Sequence, residues 1–535
     1  MRRDKFPSGI VGVSVGEIER QIPAGEAPPL PTNDRLAVIG KSVPRINGRA
    51  KVTGAARFTV DIKLSGMLHA RLLRSPHAHA RVISVDMRAA EHHPDVRAVH
   101  VITDIVGRAV ERTPEIEPAG GAARLPRALY VGAPVAAVSA ITEAAADAAL
   151  RLIKVEYEVL PFVVDMEDAR KPGAPAVFRS PVTGSGFAGG VSAGGELQQQ
   201  GNIRGPATVG ARGDVTKGFA EADIVVEGEY RTQVQTHCCA ETHAIVADWR
   251  SDGLTVYLST QFTAGVRSDL AHAFGLPRNR VRVVVDAMGG GFGSKSSAGN
   301  YARAAIALSR AADAPVRLVL DRDEEQLDSG NRPATFQRLK IGARKDGQLT
   351  AVSLYTYGTA GTALGAGVGN IAQGMYECRN FGIEQYDVFI NAGPGCAMRG
   401  PGNTPGAFAL EQAIDELAEK LKIDPLLLRD HIDASPVRRE ERRRGAERIG
   451  WSRRHAPGAD KGPIKRGIGV AQSLWGANVQ TNASCEVRLL RDGSVEILSS
   501  VQDIGTGIGT VLAQVVAEEL GLRPQDITVR IGDTD

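Results

Sequence analysis

Val281-Arg282-Val283-Val284-Val285-Asp286-Ala287-Met288-Gly289-Gly290-Gly291-Phe292-Gly293-Ser294-Lys295 is the stretch that decides the fold. A buried-strand pattern over Val281–Val285 runs into a glycine-rich loop, and a helical period over Ala298–Ala312 follows. Glycines let backbone N–H groups turn toward a bound group, and the start of the next helix adds positive potential. The same segment also suits a plain strand-to-helix turn. It makes a poor phosphate-binding P-loop: counted from Gly289, Lys295 and Ser296 fall in place, but the second glycine would be Ser294. Phe292 inside the glycines suggests an aromatic wall beside a flat ligand.

Three further segments share this layout. Gln502-Asp503-Ile504-Gly505-Thr506-Gly507-Ile508-Gly509 lies between strand Val495–Val501 and helix Val511–Leu520. Alone it is weak, but two such turns favour one large anionic ligand held from two sides. Ala397-Met398-Arg399-Gly400-Pro401-Gly402 leads into helix Ala407–Leu421, and Arg399 is either a surface charge or a donor to an anionic or oxo group. Thr260-Gln261 sits between strand Leu254–Leu258 and helix Phe262–Phe274, where a lone Gln is ordinarily a cap. His237-Cys238-Cys239-Ala240-Glu241-Thr242-His243, read as a strand, puts His237, Cys239, Glu241 and His243 on one face. That face suits a metal less well than structural hydrogen bonding, because the spacing matches no standard zinc pattern.

Around these motifs the chain divides into units. Residues 1–34, rich in Pro, Gly and charge, read as a poorly ordered arm or a strap. Residues 35–169 carry strands at Ala56–Ile62, Leu68–Leu73, Ala80–Val85, Val99–Ile102, Pro134–Val138 and Lys154–Val159, with a helix capped by Thr142. A linker at 170–210 precedes a larger domain, 211–435, with strands Ile224–Tyr230 and Ala244–Trp249 among its elements. Residues 436–466 read as an Arg-rich solvated linker, and 467–535 as a third unit whose sheet is incomplete at Asp535. That unit should expose an apolar face and an unpaired edge.

Composition removes several classes. The 64 basic and 61 acidic residues leave +3 at pH 7, too little field to draw nucleic acid. The five cysteines form no CxxC pair, which argues against an internal disulfide framework or iron–sulfur cluster. No apolar run reaches the ~18 residues of a membrane span. The apolar stretch that a twin-arginine export signal needs does not follow Arg2 and Arg3, so the expected location is cytoplasmic. The 61 glycines exceed the usual ~7% and point to backbone-built ligand sites.

Taken in order, Arg49–Phe58, His237…Glu241…His243, Ser259-Thr260-Gln261, Gly289–Lys295, Met398-Arg399-Gly400 and Gln502–Gly507 resemble the molybdenum-cofactor subunit of the xanthine dehydrogenase and aldehyde oxidase family. The likeness runs from about residue 35 to the last residue. It implies an α+β chain: an α/β hammerhead-like domain, then large mixed α/β molybdopterin-binding domains, the last incomplete. By resemblance, Gln261 stands beside the oxo group of molybdenum. Gly290, Gly291, Phe292 and Gly293 form the wall near the metal, and Arg399 with Gly400 lies beside it. Gln502, Gly505, Thr506 and Gly507 hold the pterin and its phosphate. Molybdenum is then held by pterin sulfurs, with no side-chain ligand, and the cofactor can be the cytosine dinucleotide form. Iron–sulfur and FAD centres are expected on partner subunits of a heterotrimer. The implied reaction is hydroxylation of a small aldehyde or N-heteroaromatic compound, with oxygen from water and a glutamate as base.

Three departures qualify this. Ser296 stands where purine oxidases of the family carry Glu, and Pro401 where they carry an aromatic residue; both point away from purines. The family's catalytic Glu belongs to a segment past residue 535, so no base is assigned here. An inactive cofactor-binding fragment is the alternative reading.

Overall fold

The computed structural model describes residues 2–10, 13–22, 36–102, 125, 127–182, 197–208, 210–456, 458–475 and 484–535, the first two ranges as backbone only. Arg2–Ile10 and Val13–Ile22 pair as an antiparallel hairpin where an irregular arm was expected. No helix among the described residues is long and apolar enough to cross a membrane.

The glycine-rich loop hangs from a seven-stranded sheet. Its order is Val281–Val284, Gly253–Leu258, Ala244–Arg250, Val316–Val319, Leu68–Arg74, Pro134–Ala140 and Val96–Val101. Val316–Leu318 pairs in parallel with Leu68–Ala70, so strands from the expected 35–169 and 211–435 units join one sheet. Helix Gly299–Ala312 packs on it, and Ile245, Val256, Leu258, Val283, Ile306, Leu308 and Leu318 fill the core between them. Helix Glu143–Leu150 begins as expected: the Thr142 hydroxyl accepts Ala145 N at 3.1 Å.

A second sheet has the order Ile224–Thr232, Ala334–Ala343, Leu349–Thr359, Phe381–Val388, Ile203–Ala207 and Gln199–Gln200. Helix Asn403–Leu421 covers it with Leu410, Ile414 and Leu417. Two of its strands fall inside the expected 170–210 linker. Asn202 fixes that stretch, accepting Val177 N at 2.9 Å and donating to Pro175 O at 2.9 Å.

The third unit is a small sheet, Glu486–Leu489, Val495–Ser499 and Ile527–Ile531, under helix Ile508–Leu520. Val495, Ile497, Ala513, Ala517 and Ile527 form its core. The Glu518 carboxylate accepts the amides of Ala37, Val38 and Ile39 at 2.9, 2.6 and 3.0 Å, tying the segment at the head of the first unit to this helix. Val285 N donates to Gly532 O at 2.7 Å, and Gly532 N to Val501 O at 2.6 Å, so the unit docks beside the strand that feeds the glycine loop. Strand Glu486–Leu489 is exposed along its length, with Leu489 71% and Val487 45% exposed.

Two further sequence expectations fail for identifiable reasons. Ala56–Ile62 is not a strand. Asp61 accepts Phe58 N at 2.9 Å and Thr59 N turns to Glu241 at 3.3 Å, which closes a 3₁₀ turn at Thr59–Asp61. The Arg-rich segment is not a solvated linker along its whole length, because Pro436–Ile449 is a helix. Ser435 caps it, Pro436 takes the first position, and Arg443 and Arg444 pair with Glu440. Arg438 and Arg442 are buried around Asp433, at 2.5 and 2.7 Å. Burial pushes the Asp433 carboxyl up, but the hydrogen bonds from Arg438, Ser435 and Arg442 outweigh it and hold the group at about 2.

Asp433→Ala strips buried Arg438 of its carboxylate, leaves buried Arg442 with Asp430 alone, and should cost about 3–5 kcal/mol, seen as an earlier urea midpoint. Because the folded value lies below the ordinary 3.8, the wild-type contribution is complete above that pH and lost only as pH falls toward 2. A variant that unfolds with the wild type would contradict the clasp.

Candidate functional site

Gln261 organises the glycine loop. Its backbone N–H donates to Lys295 O at 2.7 Å, and its Oε1 accepts Gly293 N at 2.7 Å and Lys295 N at 3.4 Å. A Cβ on Gly291 would lie 2.4 Å from that Oε1. One on Gly293, where φ is +118°, would lie 2.0 Å from Ala397 O. Only glycine fits at Gly293, and a side chain at Gly291 would push the Gln261 amide from its place. Phe292 has φ +53°, a conformation side chains rarely adopt. Its ring folds toward Gly290 and remains 40% exposed. Such an outlier, held by its surroundings, is the kind found at ligand walls.

Behind the loop stands Lys295, without exposed surface. Its Nζ donates to Glu241 O at 2.8 Å and faces the Glu241 carboxylate at 3.4 Å. The same carboxylate accepts Gly289 N at 2.8 Å and Thr59 N at 3.3 Å. Burial pushes the Lys295 ammonium down and Glu241 pushes it up; the net shift is downward. One glutamate therefore fastens both ends of the loop and joins them to the first unit.

The Arg399 loop lies alongside. Arg399 N donates to Phe292 O at 2.7 Å, and Gly400 turns with φ +74°. The Arg399 side chain is exposed and has no hydrogen-bonded or ionic partner among the described residues. Beneath it Arg332, buried, donates to Arg399 O at 2.9 Å and Gly400 O at 3.4 Å. Nothing in local sequence marks Arg332, a single arginine in Gly330-Asn331-Arg332-Pro333.

The second glycine turn meets the first through Gln502. Its Nε2 donates to Gln261 O, and its Oε1 accepts Thr263 Oγ1 at 3.2 Å. Within the turn Asp503 accepts Gly505 N at 2.9 Å and Gly507 N at 3.0 Å, and takes Arg45 and Asn47 on its other oxygen at 2.8 and 3.1 Å. Burial pushes this carboxyl up, but the Gly507 and Gly505 amides prevail and it lies below the ordinary range. Two of the turn's amides are thus taken up by its own Asp503, and Thr506 stands exposed at the tip.

The His237–His243 segment is not a strand with four residues on one face. Cys238 has φ +46°, and the two histidines diverge. His237 Nε2 bonds to Ala397 O at 2.8 Å, supporting the Arg399 loop, while His243 lies 3.3 Å from both Glu325 and Ser294 O. A cleft of about 1140 Å³ lies elsewhere, lined by Arg212, Arg344, Tyr376, Arg379 and His431 and by none of the glycine-turn residues.

Gln261, the Gly290–Gly293 loop, Arg399 and Gln502 bring two amide side chains, backbone amides and an unpaired guanidinium together, a set of the class that can receive an anionic group. Comparison with known proteins gives the same class. Residues 53–161 match the a/b hammerhead domain of aldehyde oxidase and xanthine dehydrogenase, and 198–431 and 444–535 match molybdopterin cofactor-binding domains. The chain is 32% identical to the aldehyde oxidoreductase molybdenum-binding subunit PaoC of Escherichia coli K12, over 96% of this chain and 67% of that one. It is 31% identical to the probable hypoxanthine oxidase XdhD of the same organism, over 94% and 58%. Quinoline 2-oxidoreductase from Pseudomonas putida 86 superposes with a TM-score of 0.76 at 26% identity, covering 94% of this chain and 67% of that one. The chain belongs to the family of molybdenum-binding subunits of xanthine dehydrogenases and aldehyde oxidoreductases. It spans 58% of the length of XdhD and 67% of PaoC.

Gly293→Ala should lower stability by at least about 2 kcal/mol even without cofactor, through strain and the collision with Ala397 O. Gly445→Ala, in helix Pro436–Ile449 with open space around it, should instead raise stability by up to ~1 kcal/mol. Thermal unfolding of the two variants side by side checks both signs.

Proposed function

We propose that this chain is the molybdenum-carrying large subunit of a heterotrimeric, cytoplasmic hydroxylase. It oxidises a small aldehyde or N-heteroaromatic compound with oxygen from water, and passes electrons to partner iron–sulfur and flavin subunits. The observation that carries the reading is the convergence of Gln261, Phe292 and Arg399. Gln261 Oε1 holds Gly293 N at 2.7 Å and Arg399 N holds Phe292 O at 2.7 Å, which places three chemically distinct groups on one glycine-built wall.

The residues present fit a molybdopterin. The absent Cβ atoms of Gly291 and Gly293 let the Gln261 amide and the Ala397 carbonyl close on the loop and fix its backbone. The Arg399 guanidinium can pair with an anion. When bound, the cofactor, in its cytosine dinucleotide form on this reading, supplies a two-electron acceptor at molybdenum. The chain's residues do the rest. Gln261, its Oε1 engaged by the loop, offers Nε2 as a donor toward the cofactor. Phe292 excludes water from one face, and Arg399 balances negative charge. Gly290 gives the Phe292 ring its place, Gly400 turns the arginine loop, and the Gln502–Gly507 turn steadies the pterin end. PaoC, an aldehyde oxidoreductase subunit, and XdhD, a probable hypoxanthine oxidase, are similar to the chain at nearly equal identity, and Pro401, where purine oxidases carry an aromatic residue, favours the non-purine class. Ser296 supports the same choice: its hydroxyl donates back to Gly293 O at 3.1 Å.

The test is expression with the cofactor-maturation machinery and the partner subunits, followed by assay with an aldehyde, an N-heteroaromatic compound and hypoxanthine. Arg399→Met should retain molybdenum and lower turnover by about 10²-fold, the scale for losing one preorganised donor at a reacting centre, and Phe292→Ala should retain molybdenum and lower turnover by opening one face to water. Turnover of hypoxanthine above the other two would reverse the substrate class. Unaltered turnover in both variants would remove these residues from the site.

A further inference from the structure

Among the described residues the buried guanidiniums follow a rule, and one of them breaks it. Arg429, fully buried, is paired with Glu411 at 3.0 Å and Asp415 at 2.8 Å. Arg438 and Arg442 share Asp433, and Arg204 faces Asp387 at 3.6 Å. Arg332 is 6% exposed and has no carboxylate within ion-pair distance among the described residues. Two backbone carbonyls, Arg399 O and Gly400 O, are its acceptors, and its Nε is buried without a partner. His237, the titratable neighbour, supplies no counter-charge. Burial keeps its imidazole below the ordinary histidine range, and Arg332 lowers it further. A buried cation without a counter-ion is costly, and proteins keep one where a ligand supplies the missing charge.

The missing charge has an evident position. Arg332 lies under the loop whose upper side presents Arg399, and that loop is bonded to Phe292 O. We propose that Arg332 is a buried counter-charge for the anionic molybdenum cofactor, compensated when the cofactor sits against the Arg399–Gly400 loop. This inference rests on the cofactor reading above. It makes Arg332 a positioning residue with an electrostatic role. It fixes the two carbonyls that set the direction of Arg399, and it adds a second positive charge that water does not screen. The burial that leaves it uncompensated also pushes the Arg332 guanidinium below the ordinary arginine range.

The test compares wild type, Arg332→Met and Arg332→Lys, produced with the cofactor-maturation machinery. It reads molybdenum and pterin content, thermal unfolding with and without cofactor, and the molybdenum reduction potential followed by electron paramagnetic resonance. In the Met variant, cofactor affinity should fall about 10–100-fold, as for other supporting partners of metal sites. The potential should move to more negative values, because a nearby positive charge favours the reduced state. The cofactor-free Met variant should be no less stable than cofactor-free wild type, since a buried uncompensated charge has been removed. The Lys variant should restore the potential. Normal loading with an unchanged potential in the Met variant overturns the inference. Equal destabilisation of the cofactor-free and loaded Met variant also overturns it, by showing a packing role only. A wild-type chain that takes up no molybdenum overturns the functional reading, and this inference with it.

Discussion

The Lys295 ammonium, shut off from solvent and bonded to the Glu241 carbonyl and carboxylate, is the interaction on which the candidate site depends. Isolated in a low-dielectric interior, either charge would be strongly unfavourable; together, with the Gly289 and Thr59 amides filling the remaining acceptor positions, they are satisfied. The consequence is geometric. A loop of four glycines over five positions, Gly289–Gly293, has little intrinsic preference for any one shape. Fastening its start and its end to one carboxylate supplies the shape that its sequence lacks.

From that fixed loop the rest of the site is built by successive contacts. Gln261 fills the space left by the absent side chain of Gly291 and holds Gly293. Phe292 O receives Arg399 N, and the Arg399 loop is in turn supported by His237 at Ala397 and by Arg332 at Arg399 and Gly400. Gln502 reaches Gln261 O from the third unit. The candidate site is therefore a junction between units: the first two share the seven-stranded sheet, and the third docks beside it with a three-stranded sheet of its own. Loose side chains on separate loops could not hold such a wall to the tolerance that catalysis requires.

Much of this was legible in the sequence, for physical reasons that can be named. Strands with a clean period, such as Lys154–Val159 and Ile527–Ile531, lie where the alternation put them. The Thr142 cap was visible because a hydroxyl before Glu143 satisfies a free helix amide. The glycine turns were visible as composition. By contrast, Ala334–Ala343 and Leu349–Thr359 are buried along most of both faces, so alternation, the usual strand signal, is lost. Pro436–Ile449 was hidden because six arginines look solvated until Asp433 and Asp430, distant in the heptad sense but close in space, bury two of them. Arg332 was illegible altogether. Its importance lies in which carbonyls it meets and which carboxylate it lacks, and neither is a property of local sequence.

The central claim is that the Gly290–Gly293 loop, Gln261 and Arg399 form the wall against which molybdenum is held. Anomalous diffraction at the molybdenum absorption edge, on crystals of protein loaded during expression, tests it most directly. The account expects one strong peak in contact with the Gln261 amide and the Arg399 guanidinium, beside the Phe292 ring. A peak in the cleft between Arg212, Arg379 and His431, or molybdenum in the crystals with no peak at the loop, would contradict it.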